Sequence, residues 1–166
     1  MITTKTNSKK RNSDLSSRLK EVLLDGQWIA NTNFQAQIES VTWEHATLKV
    51  GSLNTIAALT YHVSYYLAGI LNVLKGGELE IKDKYSFDLP PIASESDWKA
   101  LVTAFINNAE EFVAEVAQLS DSMLDETFVD EKYGTYLRNI EGVIEHSYYH
   151  LGQVSLIRKL VIENQD

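Results

Sequence analysis

Apolar residues recur three and four positions apart along most of the chain, the spacing that lines one face of an α-helix. Over residues 14–40 they are Leu15, Leu19, Val22, Leu23, Ile29, Ala30, Phe34 and Ile38. This predicts a first helix with Ser13 as N-cap and Asp14 favourable in the first turn. Gly26 interrupts the pattern midway and marks either a close helix contact or a break. After a connection over 41–51, Ser52 is the expected cap of a second helix, whose stripe is Ile56, Leu59, Val63, Leu67, Ile70 and Leu74. Gly76-Gly77 ends it. A third helix opens at Ser94-Glu95-Ser96-Asp97, and Trp98, Val102, Phe105, Ala109, Phe112, Val116 and Leu119 form a sustained core seam. A polar connection over 120–135, containing Gly134-Thr135, precedes a fourth helix at about 136–163. Arg158 and Lys159 suit the C-terminal end of its dipole.

Residues 77–94 break the periodicity. Leu79-Glu80-Ile81 alternates briefly, and Pro90-Pro91 forbids a helix there. A connection this long is unusual between antiparallel neighbours. It can run the length of a bundle and leave the flanking helices parallel. With four amphipathic stretches, no convincing strand and no internal repeat, the expectation is an all-α four-helix bundle with a long crossover between helices two and three. One domain is expected over 13–166, after a flexible basic tail at 1–12.

Composition narrows the chemistry. The chain has 166 residues and no cysteine. Disulfides, thiolate metal sites and cysteine nucleophiles are therefore excluded, and any thiol chemistry must use an exogenous thiol. The formal net charge is -8, which argues against a duplex-binding surface. Lys5, Lys9, Lys10, Arg11, Arg18 and Lys20 face only Asp14 within the first twenty residues. That cluster reads as a solvated N-terminus rather than a nucleic-acid arm. Residues 1–12 lack the apolar centre of a signal peptide, and no stretch resembles a membrane span of ~18 apolar residues. A soluble, cytoplasmic protein is expected, with neither nucleic acid nor membrane as partner and a homodimer open as an alternative to a monomer.

The fourth helix departs from the apolar rule at one place. At 100° per residue, Asn139, Val143, His146, His150, Gln153, Ile157 and Leu160 share a narrow stripe with two histidines at its centre. His146 and His150 are spaced i,i+4, so both rings project from one side of the helix, close enough to bind one metal ion. On the second helix the stripe is Thr55, Leu59, His62, Tyr66, Gly69 and Val73, which aims His62 inward. His62 lies about 15 Å along its helix, and His146 and His150 roughly 15 and 21 Å along theirs. The depths match whichever way the helices run. The residues fit either a three-histidine metal site or hydrogen-bonded core histidines. Tyr66 and Gln153, a turn from the histidines, are candidates to contact a substrate or to pack behind the ligands. His45 falls in a predicted loop and reads as surface. A zincin motif is excluded because Ser147 follows His146, and a di-iron motif because no glutamate precedes a histidine by three positions.

The chain resembles the DinB-like, or YfiT-like, metal-dependent enzymes. The resemblance rests on Tyr61-His62 in the second helix and Ile144-Glu145-His146-Ser147-Tyr148-Tyr149-His150-Leu151-Gly152-Gln153 in the fourth. Gly76-Gly77, Asp83 to Asp88 and Asp97-Trp98 also look like one branch of that family. The resemblance implies an up-down-down-up bundle and a divalent metal, commonly nickel or zinc, held by residues matching His62, His146 and His150. Characterised relatives transfer low-molecular-weight thiols such as bacillithiol or mycothiol to electrophiles, or isomerise thiol adducts. The implied function is therefore a metal-dependent transferase joining a small thiol to an electrophile. A metal-dependent hydrolase and a non-catalytic metal-binding or interaction bundle are the alternatives.

Overall fold

A computed structural model describes residues 11–163, and these form an all-α protein with no strand among the described residues. Helix α1, Arg11–Lys20, runs directly into a π-helical turn, Glu21–Asp25. The single helix expected over 14–40 ends there. Gly26 is extended, with φ -88° and ψ 164°, and a Cβ on it would overlap Glu21. The chain then turns through residues 27–32, leaving Ile29 and Ala30 exposed. Asn33 restarts it as α2, Phe34–Glu39, its side chain accepting from Ala36 N–H at 2.9 Å and donating to the Gly26 carbonyl at 3.1 Å. The sequence pattern missed this break because Phe34 and Ile38 remain in phase with the earlier stripe, and both are fully buried.

The 41–51 connection holds a short helix, α3, Trp43–Thr47, capped by Thr42. Helix α4, Ile56–Leu74, starts at Thr55, whose hydroxyl accepts from Ala58 N–H at 3.1 Å, so Thr55 and not Ser52 is the cap. At its end Gly76 adopts φ 88°, Gly76 N–H reaches the Val73 carbonyl at 2.9 Å and Gly77 N–H the Asn72 carbonyl at 2.8 Å. This is a Schellman stop. Helix α5, Glu95–Gln118, is capped by Ser94. The Ser94 hydroxyl accepts from Asp97 N–H at 3.2 Å and donates to the Asp97 carboxylate at 2.8 Å. Helix α6, Asp121–Leu124, is a single turn, and helix α7, Tyr136–Glu163, matches the expected fourth helix.

The core is continuous. All of Trp98, Val102, Phe105, Ala109, Phe112 and Val116 are buried, and Phe34 stacks on Phe105 at 5.0 Å. Trp98 donates its indole N–H to the Val41 carbonyl at 3.1 Å, which fixes the α2–α3 segment against α5. Ser13 lies inside α1 and does not cap it. The tail expected at 1–12 lies outside the described residues as far as residue 10, whereas Arg11 and Asn12 are helical. The described cations of that basic region are paired. Arg11 forks onto Asp125 at 2.8 and 2.9 Å, and Lys20 meets Asp25 at 3.0 Å. Helix α4 is long and apolar enough by composition to pass for a membrane span, contrary to the sequence expectation. It is the core helix here, carries His62 and buries 56% of that window inside the protein.

Candidate metal centre

His62, His146 and His150 converge, each offering one ring nitrogen, with all three nitrogens within 4.8 Å of one another. His62 Nε2 lies 3.1 Å from His146 Nε2, and His150 Nε2 lies 3.0 Å from the same atom. Ligands 2.1 Å from an ion at angles of 90–109° stand roughly 3.0–3.4 Å apart, so the two separations from His146 suit a shared ion.

The proton inventory points the same way. His62 Nδ1 faces the Ser86 carbonyl at 3.3 Å. His150 Nδ1 faces the Gln153 side-chain oxygen, as its amide is assigned, at 2.7 Å. Carbonyl oxygens only accept, so both Nδ1 atoms carry the proton and both Nε2 atoms present lone pairs. A neutral His146 has one N–H, which can serve one of those lone pairs and not both. At least one Nε2 lone pair is left about 3 Å from a ring nitrogen with no proton directed at it, and a cation removes that deficit.

Burial keeps the rings neutral. His146 is pulled down to about 4, first by burial and then by the neighbouring His150 and His62. His62 is lowered by burial and by His150, partly offset by the Ser86 carbonyl and Asp83. Burial also lowers His150, against the raising effect of Gln153. Three neutral imidazoles need shed no proton before binding a cation at neutral pH.

The segment between α4 and α5 closes one side of the cluster. Phe87 stacks on the His62 ring at 4.1 Å between centroids and 13° between planes. Tyr66 stands edge-on to both His62, at 5.1 Å, and His146, at 5.3 Å. It donates its hydroxyl to Asp83 at 2.8 Å. Tyr65 clasps the same segment by exchanging hydrogen bonds with Lys82 N–H and C=O. Ile81 fills the space above Gly69 that a Cβ would occupy. Sequence reasoning missed Asp83, Ser86 and Phe87 as parts of the site. The likeness of the 83–88 segment to one family branch was the available signal.

Of the two substrate candidates, Tyr66 lines a cavity of about 460 Å³ beside His146. Gln153 lines a different one, of about 220 Å³, and its oxygen is engaged by His150. His45 lies on α3, half-buried, and is not among the converging histidines. A family model described as the DinB superfamily matches residues 32–154. No curated protein and no solved structure matches the chain significantly.

Proposed function

Because the chain belongs to the DinB superfamily, we propose that it is a divalent-metal-dependent enzyme that joins a low-molecular-weight thiol to an electrophile in the cytoplasm. His62, His146 and His150 hold the ion, nickel or zinc, through Nε2. The convergence of three neutral rings whose Nε2 contacts too few protons can serve carries this reading. When bound, such an ion keeps its full charge and lowers the pKa of a thiol or water beside it.

The residues around the cluster do the positioning. The Ser86 carbonyl and Gln153 fix the tautomers of His62 and His150. Phe87 and Tyr66 wall the cluster with aromatic surface and limit water. The cavity beside His146 leaves room for a small molecule, which favours catalysis over a structural ion enclosed on every side. The same reading takes the four principal helical segments as an up-down-down-up bundle. Asn12 on Ala117 and Ser16 on Val113 set α1 against α5. Arg18 by Glu141 and Glu21 on Tyr148 run the first segment along α7. Leu59 beside Ile157 and Tyr66 beside His146 oppose α4 and α7.

The test is metal-loaded protein with a haloarene and, in turn, bacillithiol, glutathione, cysteine and coenzyme A. Metal-dependent thiol consumption is expected, and it should disappear in a folded His146→Ala variant. Turnover of model esters with no thiol transfer would replace this reading with hydrolysis.

A further inference from the structure

The cavity beside His146 is built unlike the others. Lys132 and Arg138 line it, together with Tyr66, Tyr133 and Asn139, and no carboxylate does. A second cavity of about 400 Å³ is lined by Glu78 and Glu80 and by no cation. In a chain with net charge -8, a cavity with two cations and no acid on its wall is set apart.

Both cations are exposed, at 65% and 59%, yet tethered: the Lys132 ammonium meets Asp130 at 3.9 Å and lies over the Tyr133 ring at 4.8 Å. Lys132 sits in a pinned loop. Asp130 caps the turn Glu131–Tyr133 by accepting from Lys132 N–H at 2.9 Å. Asn139 donates to the Tyr133 carbonyl at 2.8 Å, and Phe128 N–H reaches the Gly134 carbonyl at 2.8 Å. The Arg138 guanidinium lies over Gly142, 3.9 Å from where a Cβ would be, and Nη1 reaches Glu145 at 3.1 Å. Gly142 precedes His146 by one turn, about 6 Å along the axis. The guanidinium head is thus one turn from the histidine cluster. Its Nε and Nη2 have no partner among the described residues. The Glu145 contact is exposed on both sides, at 59% and 63%, and such pairs yield readily to a competing anion. The gap above Gly142 is the space an anion would enter.

We infer that Lys132 and Arg138 form an anion subsite, so that the substrate taken at the histidine centre carries a carboxylate or phosphate group roughly one helical turn from its reacting end. This rests on reading the three histidines as the reacting centre. Arg138 supplies a planar fork and Lys132 a movable point charge, a pairing suited to a doubly anionic group.

Nickel-loaded full-length protein is titrated calorimetrically with mercaptosuccinate and with 2-mercaptoethanol, which share a thiol and differ in the acid groups. Mercaptosuccinate should bind at least about tenfold tighter, with an advantage that shrinks as salt rises. The Lys132→Gln/Arg138→Gln pair should abolish the difference and leave nickel content and 2-mercaptoethanol binding unchanged. Gly142→Leu fills the gap while improving helix propensity, so loss of the advantage without a lower melting temperature cannot be unfolding. Equal affinities in the unsubstituted protein, or a difference surviving both variants, overturns the subsite. Chelated protein titrated with succinate and inorganic phosphate separates the two readings. Binding there that the double variant removes upholds the subsite even if nickel does not bind, whereas nickel binding with no anion preference upholds only the metal centre. Displacement of succinate by phosphate assigns the subsite to phosphate-bearing substrates, and its absence to carboxylates.

Discussion

His146 makes the stability of the metal-free protein depend on pH. Its folded value is about 4, against about 6.5 in an unfolded chain. Above roughly 6.5 neither state takes a proton there, and stability does not change. Between 6.5 and 4 only the unfolded state does, so stability falls with pH by up to about 3 kcal/mol and then levels. His62 and His150, also lowered, act in the same direction. Urea midpoints in chelator at pH 7.5 and 4.5 should separate further for the parent than for His146→Gln. Carboxylate titrations cancel in that comparison, and parallel curves would refute the assignment. Metal binding tests the set more directly. His62→Ala, His146→Ala and His150→Ala should each lose most bound nickel or zinc in equilibrium dialysis, and unchanged stoichiometry in one removes that residue. These histidines were legible because helical periodicity encodes which way a side chain points. The pairing of Gln153 with His150 and the stacking of Phe87 on His62 were not. The first is a rotamer choice, and the second depends on how the aperiodic segment 77–94 lies against the helices.

At the scale of elements, the seams of α4, α5 and α7 could be read because each helix repeats one rule for many turns. The short elements follow local chemistry instead. Helices α3 and α6 are each nucleated by one hydroxyl cap, Thr42 and Ser120. The first segment shows how periodicity misleads: Leu15 to Phe34 keep phase across a break because the chain re-enters the same core after the turn. Asn33 holds that re-entry, only 4% exposed and bonded on both sides of its amide. Asn33→Ala removes the α2 cap and strands the Gly26 carbonyl, at an expected cost of about 1–3 kcal/mol. Chemical denaturation should show that loss with nickel content unaltered. A change under 0.5 kcal/mol, on the order of an ordinary surface substitution, would mean the turn is held by Glu21, which accepts from Ile29 N–H at 3.3 Å and from Tyr148 at 3.1 Å.

For the whole molecule the question is how much of the fold depends on the ion. The core runs unbroken from Leu15 to Val161 and includes four large side chains with almost no exposure: Trp98, Phe34, Phe105 and Phe112. A chain of this length buries enough apolar surface to stand alone, unlike a zinc finger, whose core is too small without its metal. Metal adds a linkage term only. With free ion at 100 times its dissociation constant it contributes about 2.7 kcal/mol. For a domain of this size that raises the melting temperature by roughly 5–10 °C. Chelation should therefore lower the melting temperature by that amount and leave the far-ultraviolet helical signal at 25 °C unchanged. The near-ultraviolet signal should shift, because Tyr66 and Phe87 pack directly on the histidines whose lone pairs lose their cation. Collapse of the helical signal on chelation would make the ion a structural element and would count against the open, catalytic centre proposed above.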